Sequence, residues 1–343
     1  MNKKIKKVAI YPGYANMLKD QMFDLDSDIG KQLRGLPGLQ KYIALNFFLA
    51  QKGVELHTYD MYKRLSEIDL WLMLEVTPKG YFFLARNFVN PKRVIPVILE
   101  PSIVNPWEWK YLEYWSRLHK TILTWSPELV RENKKFARFH YSTFAFDIAR
   151  CEQLRAKPKK DMCLLMQSNK ASGEKGELYS LRREIIRYFE KRGDNFFDLF
   201  GYGWNSPNTR HFGPSTPFYT DVYRGEAGDK WDTFAEYKFI FCIQNAIPAG
   251  DYEVDVFMAM SVGAVPIFLP PPDVDEFIPA DTYINYAKFK DLDELVSYLK
   301  QIINTPKYEE YRKAGWEYVN SEKFRPFTVE QFCDDLYKVI QLF

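Results

Sequence analysis

The chain has 343 residues, of which 46% are hydrophobic and 17% aromatic, enough for two packed domains and far from a disordered composition. Its 47 basic and 45 acidic residues leave a net charge of +2, which argues against a dedicated nucleic-acid coat while leaving a local basic patch open. Four scattered cysteines without a CxxC, no secretory-type leader and no long apolar run point to a soluble cytoplasmic protein without a disulfide or zinc scaffold.

Taken in chain order, Lys7 to Tyr11 reads as a buried strand ending at Pro12-Gly13. A helix is expected over Tyr42 to Lys52, then strands at Val54 to Tyr59, Leu70 to Leu74, Val94 to Leu99 and Thr121 to Trp125. Short strands separated by helix-length segments predict a parallel sheet covered by helices. The charged, proline-interrupted stretch Ala156 to Asp161 reads as a linker. The pattern then restarts, with strands at Met162 to Met166, Phe197 to Phe200, Phe239 to Ile243 and Val265 to Leu269. Leu181, Ile185, Ile186 and Phe189 share a helix face, as do Leu295, Val296, Leu299, Ile302 and Ile303. Thr328 and Gln331 form a capping box that opens a last helix.

The expected domains are therefore an N-terminal α/β domain over 1–155 and a C-terminal one over 156–343, with the option that the final helix packs back on the first. In open α/β sheets, ligands bind beyond the carboxyl ends of the strands, so a ligand cleft is expected between the domains. Three groups of residues fall at such ends. Gln244 and Asn245 close a strand, and a Gly/Pro loop leads through Tyr252 and Glu253 to a helix starting near Asp255, whose N-terminus suits a diphosphate. Ser168, Asn169 and Lys170 follow another strand, with Arg182 and Arg183 on the next helix, of which at most one is expected to face the ligand. Glu100 ends the strand before Pro101, where a carboxylate can act as a general base, and Glu75 ranks second. Asp-rich triplets at Asp24 to Asp28 and Asp273 to Asp275 are too commonplace to predict a metal, and none is expected.

These segments together resemble glycosyltransferase family 10, the α-1,3-fucosyltransferases. The resemblance runs from Asp161 to about Tyr318. It rests on Ser168-Asn169-Lys170, Tyr179-Ser180-Leu181-Arg182, Phe197 to Trp204 (FDLFGYGW), Tyr223-Arg224-Gly225 with Lys230, Tyr237 to Asn245, Gly263 to Ile267 and Ile278 to Ile284. It implies a GT-B fold, two Rossmann-like α/β domains with a cleft between them, and an inverting, largely metal-independent transfer without a cofactor. The donor would be GDP-fucose or another sugar nucleotide, held by the C-terminal domain. The resemblance assigns donor binding to Ser168, Asn169, Lys170, Arg182, Gly201, Tyr202, Trp204, Lys230, Gln244, Asn245, Tyr252, Glu253 and Asp255, with Arg182 and Lys230 on the diphosphate. The N-terminal domain would hold a glycan acceptor and the base, Glu100.

Two departures stand out. The family's FEN is Ile243-Gln244-Asn245, and its TEK falls within Glu253 to Val256, where no lysine occurs. Lys170, Lys230 and Lys238 are the candidates to replace that charge. The alternatives are another sugar nucleotide used on a nucleic-acid or protein acceptor, with Trp107, Trp109 or Trp204 stacking on it, or a sugar-nucleotide-binding module that has lost transfer.

Overall fold

The computed structural model describes residues 5–32, 38–141, 143, 145, 147–206 and 216–343. The chain divides into two units, one of residues 1–145, 249–251 and 325–343, the other of residues 146–248 and 252–324. Among the described residues, no helix is long and apolar enough to cross a membrane.

The first unit is built on six parallel strands, β1 (Lys7–Tyr11), β2 (Glu55–Thr58), β3 (Leu70–Met73), β4 (Val94–Ile98), β5 (Ile122–Thr124) and β6 (Phe136–Arg138). Their order is β2-β1-β3-β4-β5-β6, so the connections diverge on either side of β1. Parallel strands covered on both faces read as continuous apolar runs, and β1, β3, β4 and β5 are buried almost throughout. Pro96 sits inside β4 although proline cannot donate to a ladder. It is tolerated at a changeover, since Val94 to Pro96 register with β3 and Val97 to Ile98 with β5. On one face, the helix Gln40–Gln51 packs against the C-terminal helix Val329–Ile340, with Phe332 edge-on to Tyr42 and Tyr337 edge-on to Phe48. Thr328 caps that last helix by accepting from the Gln331 amide.

The second unit has five parallel strands, β7 (Lys160–Met166), β8 (Phe197–Phe200), β9 (Tyr237–Cys242), β10 (Val265–Phe268) and β11 (Ile284–Asn285), in the order β11-β10-β9-β7-β8. Here the connections diverge between β7 and β9. Its core joins Leu165, Ile186, Phe189, Phe197, Phe239, Phe241 and Leu299, with Phe189 stacked on Phe197 at 4.5 Å.

The stretch 156–161 is not a linker. It lies within the second unit, and Lys160 already belongs to β7. Its charges are used locally: Lys159 Nζ donates to the carbonyls of Ala235 and Val262, Lys160 pairs with Glu236, and Asp161 pairs with Lys238. The helix Ile148–Arg155, which precedes it, also folds in the second unit.

Candidate active site

At the carboxyl edge of the second sheet, β7 and β9 run side by side and their connections part in opposite directions, the position where α/β sheets bind ligands. Arg182, on the helix Tyr179–Arg192, lies under the end of β9 and is 2% exposed. Its Nε donates to Ile243 O at 2.8 Å and its Nη2 to Asn245 Oδ1 at 3.2 Å. Both adjacent arginines make hydrogen bonds at this edge. Arg183 Nη2 donates to Asn169 Oδ1 and Lys170 O. Asn169 in turn donates to Gly203 O and Thr216 O. Ser168, half-buried, sits beside it.

The helix Val254–Ser261 starts at this edge, and Glu253 at its N-cap makes no side-chain capping bond. Asp255, 1% exposed, pairs with Lys230 Nζ and accepts from Gln167 Nε2 at 3.1 Å. Lys230, held at the start of the helix Lys230–Ala235, thereby delivers an ammonium group to a segment that has no lysine of its own. Lys238 cannot, because it lies at the start of β9 and is bound to Asp161, Ile303 O and Asn304. Loss of water pushes the Glu253 carboxyl up to about 7. The charge of Asp255 adds to this, while Arg182, Lys230 and a hydrogen bond from Gln167 oppose it. Carboxylates at a helix N-terminus satisfy its dipole but repel an incoming anion. Pairing by Lys230 and protonation of Glu253 both remove that repulsion.

Several residues expected at the donor also shape the edge. Trp204 is 3% exposed, its indole N–H donates to Gln167 O, and its ring meets Phe218 edge-on, so no face is left for stacking on a ligand. Gly201 has φ 134°, and a Cβ there would lie 2.1 Å from Gln167 O. Only glycine lets the β8 end come so close to the β7 end. Tyr202 contributes its carbonyl to the Asn169 amide. Tyr252 is buried, with its hydroxyl donating to Asp273 O. Gln244 is 3% exposed at the end of β9. Gln167 was missed although it touches Asp255, Glu253 and, through its carbonyl, Trp204. Its position directly between a strand and Ser168-Asn169-Lys170 was the available signal.

At the carboxyl edge of the first sheet, acids gather. Glu75 follows β3, Glu100 follows β4, and the short helix Pro106–Lys110 carries Glu108. That helix ties the two strand ends together. Asn105 Nδ2 donates to Val76 O at 3.2 Å and Trp109 Nε1 to Glu100 O at 2.9 Å. Glu108 is 2% exposed, and its Oε1 has no hydrogen-bond partner among the described residues. Burial, then the charges of Glu100 and Glu75, hold its carboxyl well above the usual carboxylate range. Tyr14 donates to Glu75 and feels the charges of both Glu75 and Glu100, in addition to its own burial, all of which suppress its ionisation. Lys41, 4% exposed, donates to Tyr141 O at 2.9 Å and lies 3.9 Å from the Tyr141 ring centre. Burial lowers its ammonium to about 7, against an opposing pull from Glu100.

Residues 198–340 match the family model described as glycosyltransferase family 10 (fucosyltransferase) C-term. An α-(1,4)-fucosyltransferase of Arabidopsis thaliana is 29% identical over 85 residues, which are 24% of this chain and 21% of that protein; the match thus spans about a fifth of that relative. Among solved structures, an α1,3-fucosyltransferase superposes with a TM-score of 0.56 at 13% identity, covering 99% of this chain and 91% of the other. HepE of Anabaena, solved with UDP-glucose, gives 0.55 at 11% identity over 99% and 100% of the two chains. An α-glucosyltransferase solved with UDP-glucose and DNA gives 0.54 at 12% identity over 98% and 99%. At such identities these likenesses show the fold, that of GT-B glycosyltransferases. The family match lies in the C-terminal part of the chain and shows what that part is similar to.

Proposed function

We propose that the protein is a glycosyltransferase that moves a sugar, fucose from GDP-fucose in the first instance, from a nucleoside diphosphate to an acceptor hydroxyl with inversion. The observation that carries this reading is the convergence of Arg182 and Lys230 on the carboxyl edge of the second sheet, with Lys230 inside residues 198–340, which match a sugar-transferring family, and Arg182 shortly before them. In the proposed reaction, Glu100 takes the proton of the acceptor hydroxyl. The acceptor oxygen attacks the anomeric carbon from the face opposite the nucleotide, and the bond to the diphosphate oxygen breaks. Arg182, Lys230 and the N–H groups that open the helix Val254–Ser261 stabilise the charge that grows on the leaving diphosphate, a role for prepositioned groups. Because two cationic side chains supply this charge, a chelator should leave transfer unchanged.

The test is thermal stabilisation of the full chain by a panel of sugar nucleotides, followed by transfer assays and determination of the product's anomeric configuration. A bound ligand should raise stability by about 2.7 kcal/mol at a hundredfold excess over its Kd. GDP-fucose as the strongest stabiliser supports the proposed donor, and UDP-glucose in its place rewrites the donor but keeps the reaction class. Donor binding without transfer to any acceptor would make the protein a binding module, and retention of configuration would overturn the Glu100 mechanism.

A further inference from the structure

The helix Pro78–Arg86 opens at Thr77, whose Oγ1 accepts from the Gly80 amide at 3.2 Å. Lys79, Phe82, Phe83 and Arg86 follow at i, i+3, i+4 and i+7, so two cations flank two aromatic rings on one helix face. This face lines a pocket of about 430 Å³ together with Tyr11, Tyr14 and Tyr59, within the range of roughly 300–1,000 Å³ typical of small-ligand sites. The pocket opens beside the carboxyl end of β1, where the strand connections of the first sheet diverge.

Its walls are preformed. Phe83 packs 4.6 Å from Tyr59 and 5.1 Å from Tyr11. Phe82 and Tyr14 remain 67% and 56% exposed, leaving aromatic surface toward the pocket's mouth. Neither Lys79 nor Arg86 is ion-paired among the described residues. The pocket also adjoins the acids of this edge, since Tyr14 in its lining donates to Glu75 and lies in the field of Glu100.

We propose that this pocket binds an acidic sugar, one bearing a carboxylate or a phosphate group. The apolar face of the sugar ring lies against Phe82 and Phe83, and the anionic group lies between Lys79 and Arg86. A nucleic-acid strand fits less well, because it needs cations along its length, commonly about 6–10 phosphate contacts, and this pocket offers two. That the bound sugar is the acceptor rests on the glycosyltransferase reading; that the pocket takes an acidic sugar does not.

The experiment is ligand-observed NMR and calorimetry on the full chain with glucuronate, glucose 6-phosphate, glucose and a short single-stranded DNA. At least one acidic sugar should bind about tenfold or more tighter than glucose, the contribution of one charge-assisted hydrogen bond. The double variant Lys79→Gln/Arg86→Gln should erase that difference, while Phe82→Ser should weaken acidic and neutral sugars alike. These positions are exposed, and thermal melting verifies that the variants fold. Glucuronate against glucose 6-phosphate separates the two anion types. Equal affinity for glucose, absence of acidic-sugar binding, indifference to the double variant, or tighter DNA binding with a steep salt dependence would each overturn the proposal. Sugar nucleotides titrated into the same samples report on the transferase reading separately, so the two can fail independently.

Discussion

The two sheets end in opposite kinds of electrostatics. At the carboxyl edge of the second, unlike charges are matched: Arg182 and Lys230 stand against Glu253 and Asp255, with Gln167 bridging. At the edge of the first, like charges are crowded: Glu75 and Glu100 act on a buried Glu108, and a buried cation, Lys41, loses much of its hold on its proton. A matched edge suits a ligand that arrives with its own negative charge and must be held. A crowded acidic edge suits proton abstraction, because neighbouring negative charges make a carboxylate hold a proton more readily. In the proposed reaction, one fold type would divide labour by charge pairing rather than by shape.

The largest effect should come from the crowded edge. Glu100→Gln keeps shape and removes basicity, so turnover should fall by about 10²–10⁴-fold, the usual contribution of a general base. Thermal stabilisation by the sugar nucleotide should stay as in the wild type. Near-normal turnover in this variant would remove Glu100 from the mechanism.

Next comes the matched edge. Lys230→Met leaves Asp255 buried without its cation, and breaking a buried pair from one side costs about 3–5 kcal/mol. The double variant Lys230→Met/Asp255→Leu removes both charges and should recover a large part of that loss in denaturant unfolding. If the single and double variants unfold alike, the pair is not coupled and the contrast between the edges fails on this side. Donor binding should remain weak in both variants, because the ammonium group is gone from each.

The contrast also predicts opposite pH responses. Glu253 titrates near 7 in the folded chain, above its ordinary value of 4.5. The folded state therefore holds the extra proton between these limits, and this contribution to stability, full below 4.5, is lost as pH rises through 7. Lys41 also titrates near 7, but below its ordinary 10.5. Here the unfolded state holds the extra proton, so the cost of burying the ammonium is full below 7 and is relieved as pH rises toward 10.5. Glu253→Gln should flatten the acid-side decline in stability, and Lys41→Met the alkaline-side rise. Affinity for inorganic diphosphate should weaken as Glu253 ionises near pH 7. An unchanged stability profile in Glu253→Gln would mean that its carboxyl is not buried against Asp255.

Much of this contrast was legible in the sequence, but unevenly. The long apolar strands β1, β3, β4, β7 and β9 announce themselves because parallel strands are buried on both faces. The short edge strands β6 and β11, of three and two residues, carry too little pattern to be read. Arg182 and Lys230 were legible as part of an ordered series of motif fragments. Gln167 and Glu108 were not, because an amide after a strand and a glutamate between two tryptophans look like ordinary surface residues until folding buries them. The stretch 156–161 was misread for the related reason that its lysines look solvated in sequence, whereas Lys159 reaches two backbone carbonyls. Nothing in the sequence signals that the Trp204 indole N–H is committed to Gln167 O.

The smallest expected effect is at Glu108, and it separates the two edges most cleanly. Its carboxyl is raised by burial first and by its acidic neighbours second, so it keeps its proton to higher pH than an ordinary glutamate. Gln is almost isosteric with it and matches its protonated form in charge. Where the carboxyl is protonated, Glu108→Gln should shift stability by less than about 1 kcal/mol, since the bond from Asn105 Nδ2 can still be accepted by the amide oxygen. Turnover should stay within a few-fold, because Glu108 is not the proposed base and its shape is kept. A large loss of stability would show that Glu108 is ionised in the folded state and held by a cation. The first edge would then be matched like the second, and the division of labour between them would have to rest on something other than charge pairing.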